Sequence, residues 1–241
     1  MSKLSDIIRK AKNTTSSAIV LAAGSSTRMG EDKMHMKLGR MPVLARTLRA
    51  INACECVTEI VVVTRFDRLE EVAKLCRDYG ILKCKCVVKG GATRNESALA
   101  GLMQIDRRAK LVMIHDGARP LVTEELVWNA VHGAALYKCA APAIPVTDTI
   151  KRHEQSKVLE TLRRDELAAM QTPQVFMPEI IKAALCTAIR EGKEYSDDCA
   201  AVEAMGVPVR LTEGSPENIK ITRPVDIVLA EAILKSRGET V

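Results

Sequence analysis

Four short apolar runs, rich in Val, Ile and Leu, alternate with longer amphipathic stretches in the first half of the chain. The runs lie at residues 18–23, 59–64, 84–88 and 110–115. The stretches between and after them carry apolar residues at helical spacing and predict helices at residues 42–51, 68–79, 93–104 and 123–137. Apolar strands that alternate with helices are typical of a mostly parallel sheet covered by helices on both faces. We therefore predict an α/β fold.

The second half of the chain departs from this alternation after a further apolar run at residues 139–146. Two polar segments, 149–152 and 158–163, predict a hairpin too charged to line a core. Helices at 178–191, 197–205 and 224–235 and a strand at 208–211 complete the pattern. We find no internal repeat and no long linker, so we predict one domain over residues 1–241. It would carry an N-terminal extension (1–17) and a projecting arm at about 147–165.

Composition excludes several classes of protein. The formal charge of +6 is modest, and two Phe, three Tyr and one Trp provide few surfaces on which bases could stack, which argues against a nucleic-acid partner. No apolar run approaches the roughly 18 residues of a membrane span, and the N-terminus has no signal-peptide pattern. The eight cysteines are expected to be free thiols, as in a cytoplasmic protein.

The segment LAAGSSTRMGEDK, residues 21–33, follows the first predicted strand. Small residues at this edge of a sheet expose backbone N–H groups and allow a phosphate or a base to approach closely. Two cations and several hydroxyls share the segment, whose glycine spacing fits neither a Walker A loop nor a dinucleotide-binding loop. The candidate residues for binding such a phosphate or base are Ala22, Ala23, Gly24, Ser25, Arg28 and Lys33. A solvent-exposed turn with incidental charges is the alternative.

A second candidate site follows the fourth apolar run, in VMIHDGARP at residues 112–120. Asp116 stands at the carboxyl end of a predicted parallel strand, where α/β folds bind ligands. Its carboxylate could hold Mg²⁺ or a sugar hydroxyl, and Arg119 could pair with an anion. A simple turn or helix cap at Asp116 is the alternative.

The first loop resembles the signature loop of the sugar-phosphate and polyol-phosphate nucleotidyltransferases. In that family the loop wraps a nucleoside triphosphate, and an Arg and a Lys stabilise the pentacoordinate α-phosphorus. The resemblance implies these catalytic roles for Arg28 and Lys33, with Lys37 as a nearby alternative to Lys33. It also implies nucleotide-binding roles for the backbone around Ala22–Ser25 and a Rossmann-like fold of the nucleotidyltransferase (GT-A) type.

Three further segments resemble the cytidylyltransferases within that family. GGATRNESALAG, residues 90–101, is similar to the segment that meets cytosine and ribose, which implies nucleotide contacts at Gly91 and Ser97. Ala92 departs from relatives that carry an acid or a hydroxyl there. EGSPENIKITRPVD, residues 213–226, implies that Lys220 is a second basic residue at the transferred phosphate, and we expect it to leave a short strand. HDGARP resembles the methylerythritol phosphate cytidylyltransferases, with Gly117 at the nucleotide.

The polar arm resembles the dimerisation arm of that same family. PVTDTIKR at residues 145–152 and LRRDELAAMQTPQVF at residues 162–176 carry the likeness. It implies that Thr149, Arg164 and Thr172 approach the polyol phosphate together with Asp116 and Arg119, and that some of them act across a homodimer interface.

The resemblance implies transfer of CMP from CTP to 2-C-methyl-D-erythritol 4-phosphate, with Mg²⁺ as cofactor and pyrophosphate as the second product. A cytidylyltransferase acting on ribitol 5-phosphate shares most of these motifs. A molybdopterin-type guanylyltransferase would account for RMGEDK but for neither the arm nor the NIKIT segment. A non-catalytic nucleotide-binding regulator is the alternative from a different class.

Overall fold

The first apolar run forms a central strand in the computed structural model, which describes residues 14–24 and 36–239. This strand, β1 (Ser16–Ala22), pairs in parallel with β4 (Val57–Thr64) on one side and with β6 (Val112–Asp116) on the other. β4 pairs in parallel with β5 (Cys84–Lys89) at one end of the sheet. The four strands predicted in the first half of the chain are confirmed, and they form the parallel part of the sheet.

The other end of the sheet combines antiparallel pairs with one parallel pair. Strand β11 (Gln174–Phe176) lies between β6 and β7 (Cys139–Pro145) and runs antiparallel to both. β7 also pairs antiparallel with β10 (Ala168–Met170) and in parallel with β12 (Arg210–Glu213). The sequence predicted β12 two residues too early and missed β10 and β11, because three-residue strands are too short to show a periodic pattern.

Seven helices accompany the sheet in the described part of the chain. They are α1 (Val43–Ala53), α2 (Leu69–Asp78), α3 (Arg94–Leu102), α4 (Glu124–Tyr137), α5 (Pro178–Arg190), α6 (Asp198–Glu203) and α7 (Pro224–Ser236). Proline occupies the first turn of α5 and of α7, where its missing N–H leaves no hydrogen bond unmade. None of these helices is both long and apolar enough to cross a membrane.

Helices cover both faces of the sheet, as predicted. Alternate residues of β1 point to opposite faces: Ala18 and Val20 pack in a cluster that includes residues of α1, α2, α4 and α7. Ile19 and Leu21 pack in a second cluster with residues of α3, α5 and α6. Both faces of the central strand are therefore buried, which explains why the strand is apolar throughout.

Two small hairpins stand outside the main sheet. One joins β2 (Lys37–Leu38) to β3 (Met41–Pro42). The other, within the predicted arm, joins β8 (Lys151–Glu154) to β9 (Lys157–Thr161), and every residue of these two strands is exposed. Gln155 and Ser156 make the turn with positive φ angles of 44° and 69°. The predicted hairpin is confirmed, with strand limits shifted by up to two residues.

Two boundary predictions need correction. The predicted N-terminal extension (1–17) runs into β1, which begins at Ser16, and residues 1–13 lie outside the described residues. Lys220 does not leave a strand, because residues 214–223 form none. The segment is instead held by single hydrogen bonds, such as that from the Ile221 N–H to the Ala118 carbonyl at 2.8 Å.

Candidate active site

A cleft of about 800 Å³ opens at the carboxyl ends of β1 and β6. These two strands are neighbours, and Leu21 of β1 stands opposite Asp116 of β6 in their register. The start of the predicted loop after β1 and the predicted acid at the end of β6 therefore meet at one edge of the sheet. Ligands bind in this position in open α/β sheets.

Eight of the predicted site residues line this cleft: Ala23, Gly24, Gly91, Ser97, Asp116, Arg119, Thr172 and Lys220. They come from five separate segments of the chain, and the fold brings them together around one space. Ser25, Arg28 and Lys33 lie outside the described residues, so their predicted roles stay predictions.

Three cations surround the carboxylate of Asp116. Lys220 Nζ lies 2.9 Å from Asp116 Oδ2, and Arg119 Nε lies 3.7 Å from the same oxygen. Arg94 Nη2 lies 3.7 Å from Oδ1. Burial alone would raise the pKa of Asp116, but Arg94, Lys220 and Arg119 together hold it well below its usual range. Asp116 is therefore ionised, and three cations face its single carboxylate.

The backbone of Asp116 is fixed by a buried hydrogen-bonded chain. The Asp116 N–H donates to Thr172 Oγ1 at 3.1 Å, and this hydroxyl lies 3.1 Å from Nδ1 of His115. The other ring nitrogen of His115 lies 3.3 Å from the Arg119 carbonyl. Burial lowers the pKa of His115 to about 4, so the ring is neutral at pH 7. Thr172 therefore couples the predicted polyol-phosphate segment to the acid at the end of β6.

Asn218 binds Arg119 and fixes the backbone close to Lys220. The Asn218 side-chain amide donates to the Thr172 carbonyl at 2.9 Å, and the Asn218 carbonyl accepts from Arg119 Nη1 at 2.7 Å. Asn218 is fully buried, so these bonds are protected from competing water. The asparagine in the NIKIT segment thus fixes the backbone two residues before Lys220.

The nucleotide segment predicted at residues 90–101 is a tight turn that leads into α3. Ser97 Oγ accepts from the Gly91 N–H at 3.2 Å and donates to the Thr93 carbonyl at 2.9 Å. A Cβ at Gly91 would lie 2.2 Å from the Glu96 Cβ, so the turn requires glycine. Ser97 therefore shapes the turn, and backbone groups near Gly91 and Ala92 face the cleft.

The first turn of α3 ties down the same segment. Thr93 caps the helix by accepting from the Glu96 N–H at 3.2 Å. Glu96 Oε2 in return accepts from the Thr93 N–H at 3.1 Å and from the Ala92 N–H at 2.6 Å. This capping box also holds Ala92 through its backbone N–H.

Four predicted residues are not in the cleft lining. The Gly117 N–H donates to the Leu21 carbonyl at 2.9 Å, and its carbonyl accepts from Thr47, so its polar groups already have partners. Ala22 precedes the lining residues of the first loop, and its carbonyl accepts from Thr64. Thr149 is exposed within the arm, and Arg164 donates to the Thr147 carbonyl at 2.9 Å. Within one chain, the arm residues do not join the cleft.

Sequence reasoning missed the polar wall opposite Asp116. Arg94 begins α3, and its Nη2 lies 2.6 Å from Oδ2 of the fully buried Asp198 at the start of α6. Gln174 Oε1 accepts from the Asp198 N–H at 3.0 Å. Burial raises the pKa of Asp198 to about 6, with Arg94 acting in the opposite direction. The GGATRNES segment contains Arg94, but nothing in the sequence links this arginine to an aspartate 104 residues later.

The described residues contain no group of three His, Cys, Asp or Glu side chains arranged to hold a metal ion. Asp116 could supply one carboxylate, but its oxygens already face Lys220, Arg119 and Arg94. The cleft therefore fits Mg²⁺ only when phosphate oxygens of a substrate supply most of the ligands, which is a common mode of Mg²⁺ binding.

Comparisons with known proteins agree with this geometry. The profile of the family 2-C-methyl-D-erythritol 4-phosphate cytidylyltransferase (IspD) matches residues 16–236. The enzyme of that name from Halalkalibacterium halodurans is 42% identical over 223 residues, covering 92% of this chain and 97% of its own. The one from Caldanaerobacter subterraneus subsp. tengcongensis is 42% identical over 227 residues, covering 91% and 98%.

Solved structures give the same result. The crystal structure of 4-diphosphocytidyl-2C-methyl-D-erythritol synthase from Anaerococcus prevotii aligns with a TM-score of 0.83 at 30% identity, covering 94% of this chain and 99% of the other. That of 2-C-methyl-D-erythritol 4-phosphate cytidylyltransferase from Thermus thermophilus aligns with a TM-score of 0.75 at 31% identity, covering 90% and 98%.

Proposed function

This chain belongs to the 2-C-methyl-D-erythritol 4-phosphate cytidylyltransferase family, and we propose that it transfers CMP from CTP to 2-C-methyl-D-erythritol 4-phosphate. The products are 4-diphosphocytidyl-2-C-methyl-D-erythritol and pyrophosphate, in the non-mevalonate pathway to isoprenoids. The observation that carries the proposal is the cluster of Lys220, Arg119 and Arg94 around Asp116, at the sheet edge where the signature loop begins.

The reaction needs charge neutralisation more than proton transfer. A phosphate oxygen of the polyol substrate attacks the α-phosphorus of CTP, the bond from that phosphorus to the β-phosphate oxygen breaks, and pyrophosphate leaves. Because the attacking oxygen is already an anion, no general base is required. The barrier lies in bringing anions together, so catalysis depends on positioned cations.

Lys220 is the described cation best suited to this role. Its side chain is 42% exposed and reaches into the cleft while its ammonium pairs with Asp116. A flexible ammonium can exchange a carboxylate partner for a phosphate oxygen when substrate arrives. By family resemblance, Arg28 and Lys33 stabilise the same phosphorus from the loop after β1.

The nucleotide would lie against the small residues that line the cleft. Ala23, Gly24 and Gly91 leave room for close approach of a base or a ribose to the backbone. Mg²⁺ bound to the triphosphate would be held by Asp116 and would offset charge on the phosphate oxygens.

We also propose that two copies of the chain form a homodimer through the arm at residues 147–165. Val158 and Leu159 are exposed on the hairpin, and the charged strands β8 and β9 have no partner layer within the described chain. A partner copy would cover these strands. Thr149 and Arg164 of each chain could then reach the cleft of the other chain.

A cytoplasmic location fits the cysteines. All eight fall within the described residues, and none of them forms a disulfide. Burial raises the pKa of the Cys54 thiol to about 12 and that of Cys139 to about 11, so these thiols stay protonated. Free thiols are typical of proteins in a reducing compartment.

Pyrophosphate release tests the reaction directly. Purified protein with Mg²⁺ and CTP should turn over with 2-C-methyl-D-erythritol 4-phosphate and not with ribitol 5-phosphate. Turnover with ribitol phosphate alone would correct the substrate. No pyrophosphate release with either substrate would favour a non-catalytic nucleotide-binding regulator.

The cation assignment is tested in the same assay. Lys220→Ala and Lys33→Ala should each lower kcat at least ~100-fold, the scale of losing one transition-state donor. Lys110→Ala, at the amino-terminal end of the β6 region, is the matched control and should leave kcat unchanged. Near-normal turnover of Lys220→Ala would remove Lys220 from the mechanism.

A further inference from the structure

Asp198 is a buried charge that the reaction above does not use. Its side chain is fully buried at the start of α6, and it lies behind the wall of the cleft, outside the lining residues. Oδ2 pairs with Arg94, whereas Oδ1 is buried with no hydrogen-bond partner among the described residues. A buried carboxylate in this state is unfavourable unless its cation partner is well placed.

Arg94 lies between two carboxylates. Its Nη2 is 2.6 Å from Asp198 Oδ2 and 3.7 Å from Asp116 Oδ1. The shorter contact is a charge-assisted hydrogen bond, and the longer one is beyond hydrogen-bond distance. Asp198 therefore keeps the guanidinium against the far wall, within ion-pair range of Asp116 but outside hydrogen-bond distance.

Arg94 also stands where a bound nucleotide would meet it. It is the first residue of α3, directly after the turn at Gly91–Thr93, and it lines the cleft with a quarter of its side chain exposed. A guanidinium has five N–H donors, and the pair with Asp198 leaves several of them free to face the cleft.

Asp198 is itself held in place. Gln174 Oε1 accepts from the backbone N–H groups of Asp198 and Cys199 at 3.0 and 3.1 Å. Gln174 Nε2 donates to Asp197 at 2.6 Å. This arrangement fixes the start of α6 to β11, so the carboxylate has little freedom to follow Arg94 if the arginine moves.

We propose that Asp198 is a positioning residue that holds Arg94 ready to bind the nucleotide. Without its charge, Arg94 would move onto Asp116, compete with Lys220 for that carboxylate and withdraw a cation from the nucleotide. The effect falls on binding of CTP, because Arg94 lies beside the nucleotide turn and Lys220 remains to act on the phosphate. This inference rests on the proposed function.

The test is steady-state kinetics of Asp198→Asn, which keeps the shape of the side chain and removes its charge. We expect KM for CTP to rise at least ~tenfold, the scale of a misplaced binding group, with kcat within about threefold of the wild type. Glu59→Gln is the matched control: Glu59 is a mostly buried carboxylate paired with Lys85 near the start of β4, at the opposite edge of the sheet. It should leave both constants unchanged.

A double variant separates positioning from a general structural effect. Arg94→Met should raise KM for CTP by itself, and adding Asp198→Asn should raise it no further, because Asp198 acts through Arg94. Near-ultraviolet circular dichroism and unfolding temperatures would establish that each variant folds. If Asp198→Asn does not fold, Asp198→Glu, which keeps the charge, replaces it and should raise KM for CTP at least ~threefold by displacing Arg94.

Three results would overturn the inference. The first is that Asp198→Asn, or Asp198→Glu in its place, has the same kinetic constants as Glu59→Gln. The second is that Arg94→Met and Asp198→Asn raise KM additively, and the third is a fall in kcat with KM unchanged. Turnover by the wild-type protein is measured first. A wild-type protein without turnover contradicts the proposed function, and its affinity for CTP, measured by calorimetry, then tests the same ranking of variants.

Discussion

At the residue scale, His115 precedes Asp116 and is fully buried, which lowers the pKa of its ring and keeps it neutral at pH 7. The contact of Nε2 with the Arg119 carbonyl requires an N–H there, which leaves Nδ1 to accept from the Thr172 hydroxyl. That hydroxyl then accepts from the Asp116 N–H. A protonated ring would put an N–H in place of the Nδ1 acceptor and would reverse this chain of hydrogen bonds.

The low pKa of His115 gives a pH dependence of stability. Its folded pKa of about 4 lies below the unfolded value of about 6.5, so the unfolded state binds the extra proton first as pH falls. Stability contributed by the neutral ring is present above pH 6.5 and is lost between about 6.5 and 4. We expect the free energy of unfolding of the wild type to fall by about 2 kcal/mol more between pH 7 and pH 5 than that of His115→Gln. Urea unfolding at both pH values measures this difference. An equal fall in the free energy of unfolding for the wild type and His115→Gln would contradict the prediction.

The same residues show how far sequence reasoning reaches at this scale. Asp116, Arg119, Thr172 and Lys220 could be predicted because motifs mark them, and the fold brings all four into one cleft. The Arg94–Asp198 pair could not be predicted from the pattern. Its partners start two different helices, and only the packing of α3 near α6 sets their distance.

At the element scale, the sequence predicts the long helices and strands, which have a clear hydrophobic period, and fails to predict the short strands. The four parallel strands and their helices follow from hydrophobic periodicity. Strand β10 forms by pairing with β7, and β11 by pairing with β6. Both strands therefore depend on partners that are remote in sequence, which a local pattern does not show. Lys220 was expected to leave a strand, yet hydrogen bonds to Ala118 and Thr172 hold its segment without one.

Helix α3 connects stability with nucleotide binding through its cap. We expect Thr93→Ala to destabilise the protein by about 1 kcal/mol, the usual value of a lost N-cap. Because Thr93, Glu96 and Ser97 also hold the turn at Gly91, KM for CTP should rise about fivefold, the equivalent of that energy. Thermal unfolding and steady-state kinetics measure the two effects.

Thr123→Ala is the matched control for this prediction. Thr123 caps α4 in the same way, by accepting from the Leu126 N–H at 3.3 Å, and it does not line the cleft. It should reproduce the loss of stability and leave KM unchanged. A similar rise in KM in both variants would mean that general destabilisation, and not the nucleotide turn, causes the effect.

At the scale of the whole molecule, the arm is the part that one chain leaves unexplained. Val158 is 56% exposed and Leu159 47% exposed on successive positions of β9, so apolar side chains face solvent on both sides of the hairpin. Arg164 and Thr149, which resemble substrate-binding residues, lie outside the cleft of their own chain. The proposed homodimer, in which each arm would reach the other subunit's cleft, would account for both features.

Such a dimer makes shared sites, and mixed dimers can detect them. Arg164→Ala and Lys220→Ala should each be nearly inactive alone, because every site in either homodimer lacks one group. In a mixed dimer, one site receives Lys220 from the first chain and Arg164 from the second, and it is intact. With two-fold symmetry and random pairing, co-expression of the two variants should restore roughly a quarter of wild-type activity.

Arg119→Ala with Lys220→Ala is the control pair. Both residues line the cleft of one chain, so no mixed site is complete and activity should stay low. No recovery with Arg164→Ala and Lys220→Ala would mean that each chain builds its site alone.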